Sequence, residues 1–127
     1  MKKILLPIKP LYANRILSGE KKVEYRKQVL SRKDISHVLI YASRPVCRVI
    51  GEFRIAGILS DTPDKLWKKT ACVGGINRTD YFAYFANYSI AYAYQIEEVK
   101  AFDTPRTLSE YGLKRAPQNF VYVEDDD

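Results

Sequence analysis

The stretch that most restricts the fold is Val49–Leu59. Val49, Gly51, Phe53, Ile55, Gly57 and Leu59 fall on one side of a period-two pattern, with Glu52 and Arg54 on the other. Such alternation reads as a strand with one face inward. Two glycines inside it remove side chains where a sheet would otherwise be stiff. A strand of this kind bends or bulges, as closing a small barrel requires.

The rest of the chain supplies short elements that suit such a barrel. Residues 3–9 read as a first strand, with Pro7 confining it to an edge or a bulge. Pro10 suits a first helical turn, and Tyr12, Ala13, Ile16 and Leu17 make one apolar helix face before Gly19 stops it. Gln28 to Ser36 reads as loop, and Val38–Ala42 as a buried strand. A helix starts at Asp61-Thr62-Pro63-Asp64 and ends at Gly74-Gly75, and a second is capped by Asn77 or Thr79. Ile90–Ile96 alternates small with large residues as a strand, Val99, Ala101 and Phe102 extend it, Thr107–Gly112 is a helical turn, and Phe120–Val123 is a last strand. About six strands and three or four helices give an α+β class. A chain of 127 residues has room for one such domain, expected over residues 1–123. The acidic tail 124–127 is expected to lie outside it, disordered.

The chemistry concentrates in Ser18–Lys27, where a helix stop meets a strand. Strand alternation puts Lys22, Glu24 and Arg26 on one face and Val23 and Tyr25 on the other, with Lys21 able to swing in from the turn. An ammonium, a carboxylate and a planar guanidinium together hold a phosphate or a polar base edge. The same spacing also describes a solvated, salt-bridged edge strand. In the second long helix, Tyr81, Phe82, Tyr84, Phe85 and Tyr88 recur at core spacing; base stacking is the alternative for any ring open to solvent.

Gly19-x-Lys21-x-x-Glu24-x-Arg26 resembles the G-x-K-x-x-E-x-R signature of the ASCH domain family, a branch of the PUA-like fold. The resemblance extends through Leu6-Pro-Ile-Lys-Pro10, Tyr12-Ala13, Val38–Pro45, Val49–Phe53, Leu66-Trp67 and Ala116–Phe120, and so covers nearly the whole chain. It implies a small PUA-like β-barrel with flanking helices and a cleft beside the signature. It also implies RNA or a nucleotide-like ligand as partner, with links to transcription coactivation and RNA handling. Carried over position by position, Lys21, Glu24 and Arg26 line that cleft, and Lys9 and Ser43 are further binding candidates. The alternative is a small hydrolase, acting on acylated cytidine or as a ribonuclease, with Lys21 and Glu24 catalytic. The amidohydrolase branch pairs its lysine with a threonine where this chain has Glu24.

Charge agrees with an anionic partner. Residues 1–33 carry ten basic and two acidic side chains, a net of +8, whereas the remainder is net −2. A local positive field concentrates polyanions. No metal or other cofactor is expected: Cys47, Cys72 and the single His37 are scattered, and Asp34 or Glu52 would have to join Glu24 to hold a cation. No apolar run approaches the roughly 18 residues of a membrane span, and the start lacks the pattern of a secretory signal. Cytoplasm is the expected location.

Overall fold

The computed structural model describes residues 1–126. Its elements are β1 (Lys2–Ile8), α1 (Pro10–Leu17), β2 (Val23–Arg26), β3 (His37–Ala42), β4 (Arg48–Asp61), α2 (Pro63–Thr70), α3 (Arg78–Tyr84), β5 (Ala91–Arg106) and β6 (Val121–Glu124). Short 3-10 turns occupy Ala71–Val73 and Leu108–Tyr111. The six strands form one mixed sheet in the order β2-β5-β4-β3-β1-β6. Only β1 and β3 run parallel, joined by the crossover that carries α1 and β2. The fold is α+β and roughly barrel-like, yet β2 and β6 end the sheet without pairing to each other. Hydrogen bonds do not close the sheet, and the fold is the small, nearly closed barrel-like α+β arrangement expected from the sequence.

The apolar runs explain the layers. Ile4, Leu6 and Ile8 of β1 and Val38, Ile40 and Ala42 of β3 face Ala13 and Ile16 of α1, with Phe53 and Tyr94 completing that core. Leu5, Leu39, Tyr41 and Val49 point to the opposite face, covered by Val123, Leu108 and Tyr111. Both faces of β1 and β3 are thus buried, so these strands read as continuous apolar runs rather than alternating ones. A third cluster joins Val23 and Tyr25 of β2 to Leu66, Tyr81 and Phe85 of α2 and the α3 region. In β4 the register with β5 shifts at Val49/Gly51, Glu52/Arg54 and Ile55/Gly57, so the irregularities fall beside the two glycines.

Two local features bear on the site. β6 pairs with β1 only from Lys2 to Leu5, so at Pro7 the strand is an edge, where a missing N–H does no harm. Gly19, at φ +85, ends α1 and releases the chain into β2.

The C-terminal end departs from expectation. Glu124 belongs to β6, and Asp125 is only 7% exposed. Its carboxylate lies 2.9 Å from Lys3 Nζ, which also donates to Glu52 at 3.1 and 3.2 Å. Lys3 is buried, and a buried ammonium needs paired carboxylates. That demand draws Asp125 onto the sheet. Asp127, part of the expected tail, lies outside the described residues.

Candidate functional site

A cleft of about 520 Å³ opens where the β2 edge approaches the free part of β1, between α1 and α3. Its lining includes Lys9, Tyr12, Lys21, Glu24, Arg26 and Tyr84. The three signature side chains form a row. Arg26 Nε and Nη2 both lie 3.0 Å from Glu24 Oε2. Lys21 Nζ stands 4.0 Å from Glu24 Oε1, on the other side of the carboxylate. Arg26 Nη2 also donates to the Pro7 carbonyl at 2.5 Å. Arg26 therefore bridges the seam that backbone pairing leaves open.

The lysine in the row is Lys21, not Lys22. β2 begins at Val23, so alternation does not extend back to the preceding residues. Lys22 is exposed, and its backbone N–H donates to the Val73 carbonyl. Lys21 is only 2% exposed and donates to the Gly74 carbonyl at 2.5 Å. Its ammonium sits 4.9 Å from the Tyr25 ring centre and 5.3 Å from that of Tyr12. Burial pulls its pKa below the ordinary lysine value; Glu24 opposes the shift, while Arg15 and Arg26 add to it. Tyr25, expected on the opposite strand face, also borders the cleft, its hydroxyl 2.6 Å from Thr70 Oγ1.

Glu24 is 6% exposed and held between two cations. Among the described residues, its Oε1 accepts no hydrogen bond and Nη1 of Arg26 donates none. Yet no buried side-chain nitrogen or oxygen among them lacks a partner. These two groups therefore keep hydrogen-bonding capacity toward the cleft, Oε1 on the side of Lys21 and Nη1 on the guanidinium. Tyr12 has a raised pKa, from burial first and then from Asp80.

The remaining sequence candidates divide. Lys9 is exposed on the rim of the cleft. Ser43 lies at the end of β3, its N–H bonded to the Ile8 carbonyl, and its side chain does not line the cleft. Asp34 pairs with Arg32 and Glu52 with Lys3, so neither joins Glu24. Among the described residues no three metal-ligating side chains gather, and no helix is long and apolar enough to cross a membrane.

The Gly74-Gly75 pair is more than a helix end. Gly75 takes φ +61, and a Cβ there would sit 2.6 Å from Lys21 Cβ. Arg15 Nη1 holds the Gly75 carbonyl at 2.9 Å. The loop thus roofs the buried lysine. Asp80 and Tyr84 reach the cleft from α3, whose N-cap is Asn77 rather than Thr79, through the 2.8 Å bond from Asp80 N–H. No local pattern marks these residues as part of the site, because α3 meets β2 only in the tertiary fold.

Comparison with known proteins bears on the family and the fold. The sequence profile of the ASCH domain matches residues 6–103. The chain belongs to the ASCH domain family. An ASCH domain-containing ribonuclease of Zymomonas mobilis is 27% identical over 123 residues, which cover 85% of this chain and 83% of that protein. The large ribosomal subunit protein uL22 of Ureaplasma parvum serovar 3 is 28% identical over 105 residues, covering 83% of this chain. The matched segment spans only 33% of that uL22. Among solved structures, ASCH from Zymomonas mobilis superposes with a TM-score of 0.89 at 23% identity, over 98% of this chain and 89% of that one. This likeness establishes the shared ASCH fold.

Proposed function

We propose that this ASCH domain binds single-stranded RNA and seats one nucleotide in the cleft. The observation that carries the reading is the row Lys21–Glu24–Arg26 at an open cleft, in which Glu24 Oε1 and Arg26 Nη1 make no hydrogen bond among the described residues. Glu24 Oε1 accepts from a base N–H, and Arg26 Nη1 donates to a neighbouring carbonyl, ring nitrogen or phosphate oxygen. Lys9 on the rim adds charge, and the net of +8 over residues 1–33 strengthens the field. Ser43, at the β3 end, is the outermost contact in this assignment. The name of the Zymomonas relative, a ribonuclease, supports RNA as the partner class. A role in regulating transcription, and a cytoplasmic location, fit this reading as further proposals.

A second reading, RNA cleavage, is favoured by Lys21. A buried lysine with a lowered pKa is suited to accept a proton from a ribose 2′-hydroxyl as that oxygen bonds to the adjacent phosphorus and the phosphorus–5′-oxygen bond breaks, the leaving 5′-oxygen taking a proton from water. The bond to the Gly74 carbonyl and the nearby Glu24 oppose that role by favouring the ammonium. Binding therefore takes precedence.

One experiment separates the readings. Labelled single-stranded RNA is titrated by fluorescence anisotropy at two salt concentrations and then resolved on a denaturing gel; acylated cytidine is incubated in parallel, each with and without magnesium. Salt-dependent binding with intact RNA is expected. Turnover of either substrate that disappears in Lys21→Ala replaces binding by catalysis. Absence of both binding and turnover removes the proposal.

A further inference from the structure

The aromatic segment beyond the cleft divides sharply by exposure. Tyr81 and Phe85 are buried in the α2–α3 core, as their four-residue spacing requires. Tyr84 and Tyr88, the next pair at the same spacing, are 36% and 46% exposed. Tyr84 is the last residue of α3 and borders the cleft. Asn87, at φ +69, then turns the chain, and the Tyr88 N–H bonds back to the Phe85 carbonyl at 3.0 Å. The Lys27 ammonium lies over both rings, 4.6 Å from the Tyr84 centre and 4.8 Å from that of Tyr88. Tyr84 both lines the cleft and carries the Lys27 ammonium, so it joins this shelf to the cleft.

Two exposed tyrosines at a helix end are ordinary on a protein surface. Here, however, they share one cation and adjoin the signature row. The Tyr84 ring is held edge-on to the buried Phe85, with centres 4.8 Å apart, so part of its ordering cost is already met in the free protein. Lys27 is half-buried and forms no ion pair among the described residues, so a phosphate can draw its ammonium off the rings.

We infer that Tyr84 and Tyr88 form a second, base-stacking subsite, which takes the nucleotide adjacent to the one in the cleft, while Lys27 swings to the linking phosphate. The inference rests on the RNA reading above and deepens it: the ligand is an oligonucleotide, not a free nucleotide. Ring faces accept any base, so the shelf adds affinity and direction without base preference, and selectivity stays with Glu24 and Arg26. Tyr88 is the better probe because, unlike Tyr84, it does not line the cleft.

The test compares wild type, Tyr88→Ala and Tyr88→Phe by anisotropy with labelled hexauridylate and hexaadenylate, and by competition with uridine and adenosine monophosphates. Tyr88→Ala is expected to weaken both hexanucleotides by about tenfold, the scale of one lost stack. It should leave monophosphate competition unchanged, and Tyr88→Phe should behave as wild type, since the ring suffices. Lys27→Ala should reduce the salt dependence of hexanucleotide binding. Equal affinity of wild type and Tyr88→Ala for both hexanucleotides overturns the subsite alone. So does an equal loss for monophosphates and hexanucleotides, or a wild type that binds both lengths equally. A wild type that binds no RNA at either length overturns the RNA reading as well.

Discussion

Replacing Gly75 by alanine tests whether the loop after α2 holds Lys21 in place. Two separable effects act there. The first is backbone strain: φ is +61, where an L side chain costs about 1–2 kcal/mol. The second is collision. The new Cβ would lie 2.6 Å from Lys21 Cβ, 2.8 Å from Cγ and 3.1 Å from Cα. These are near-backbone atoms of a buried residue, so little can swing away, and overpacking of this kind costs about 1–3 kcal/mol. Gly112 supplies the control: φ is +75, and nothing lies within 4 Å of its ideal Cβ. Gly112→Ala should therefore lose only the strain. In urea titrations of both variants, Gly75→Ala should lose about 2–5 kcal/mol and Gly112→Ala about 1–2 kcal/mol. For a chain of this length each kcal/mol lowers Tm by about 4 °C, so thermal melts should separate the pair clearly. Gly75→Ala should also lose RNA affinity, and Gly112→Ala should not. Equal stability losses in the two variants would mean that the loop is free to move off Lys21 and does not hold it.

Arg26→Lys keeps the charge but cannot reach Glu24 and Pro7 together; RNA affinity should fall by about 1–3 kcal/mol and stability by a similar amount, read by anisotropy and urea titration. Lys21 has a lowered folded pKa, so the unfolded chain binds more protons, and its contribution to stability grows as pH rises between that folded value and 10.5. The stability difference between wild type and Lys21→Met should accordingly shift in favour of wild type as pH rises toward 10.5, and a pH-independent difference would contradict the buried, destabilised ammonium. Asp125→Ala removes one of the carboxylates on buried Lys3 but leaves Glu52, so unfolding free energy should drop by about 1–3 kcal/mol, whereas truncation of a disordered tail would change nothing.

The local patterns of this chain are strong wherever one element decides them. Alternation in Val49–Leu59, the apolar runs in β1 and β3, Pro10 and Gly19 around α1, and the capping residues before α2 and α3 all act within a few residues, so each element is legible in order. The signature is legible for the same reason: Glu24 and Arg26 are two residues apart on one strand, and strand geometry alone puts them together. Lys21 was within reach of that reading only as a swing residue, because its position depends on the turn after Gly19 and not on strand period.

Local patterns specify the inventory of strands and helices, the family and the composition of the signature row. Tertiary structure decided which partners each charge meets. Arg26 grips the Pro7 carbonyl because the sheet curls until β2 faces β1, two strands that never pair. Lys21 loses water because Gly74 and Gly75, far along the chain, close over it. Asp125 leaves solvent because Lys3 cannot be buried alone. Tyr84 and Tyr88 stay outside while Tyr81 and Phe85 go in, although all four carry similar rings. In each case the deciding quantity is desolvation, and desolvation is set by what packs against a group from distant parts of the chain.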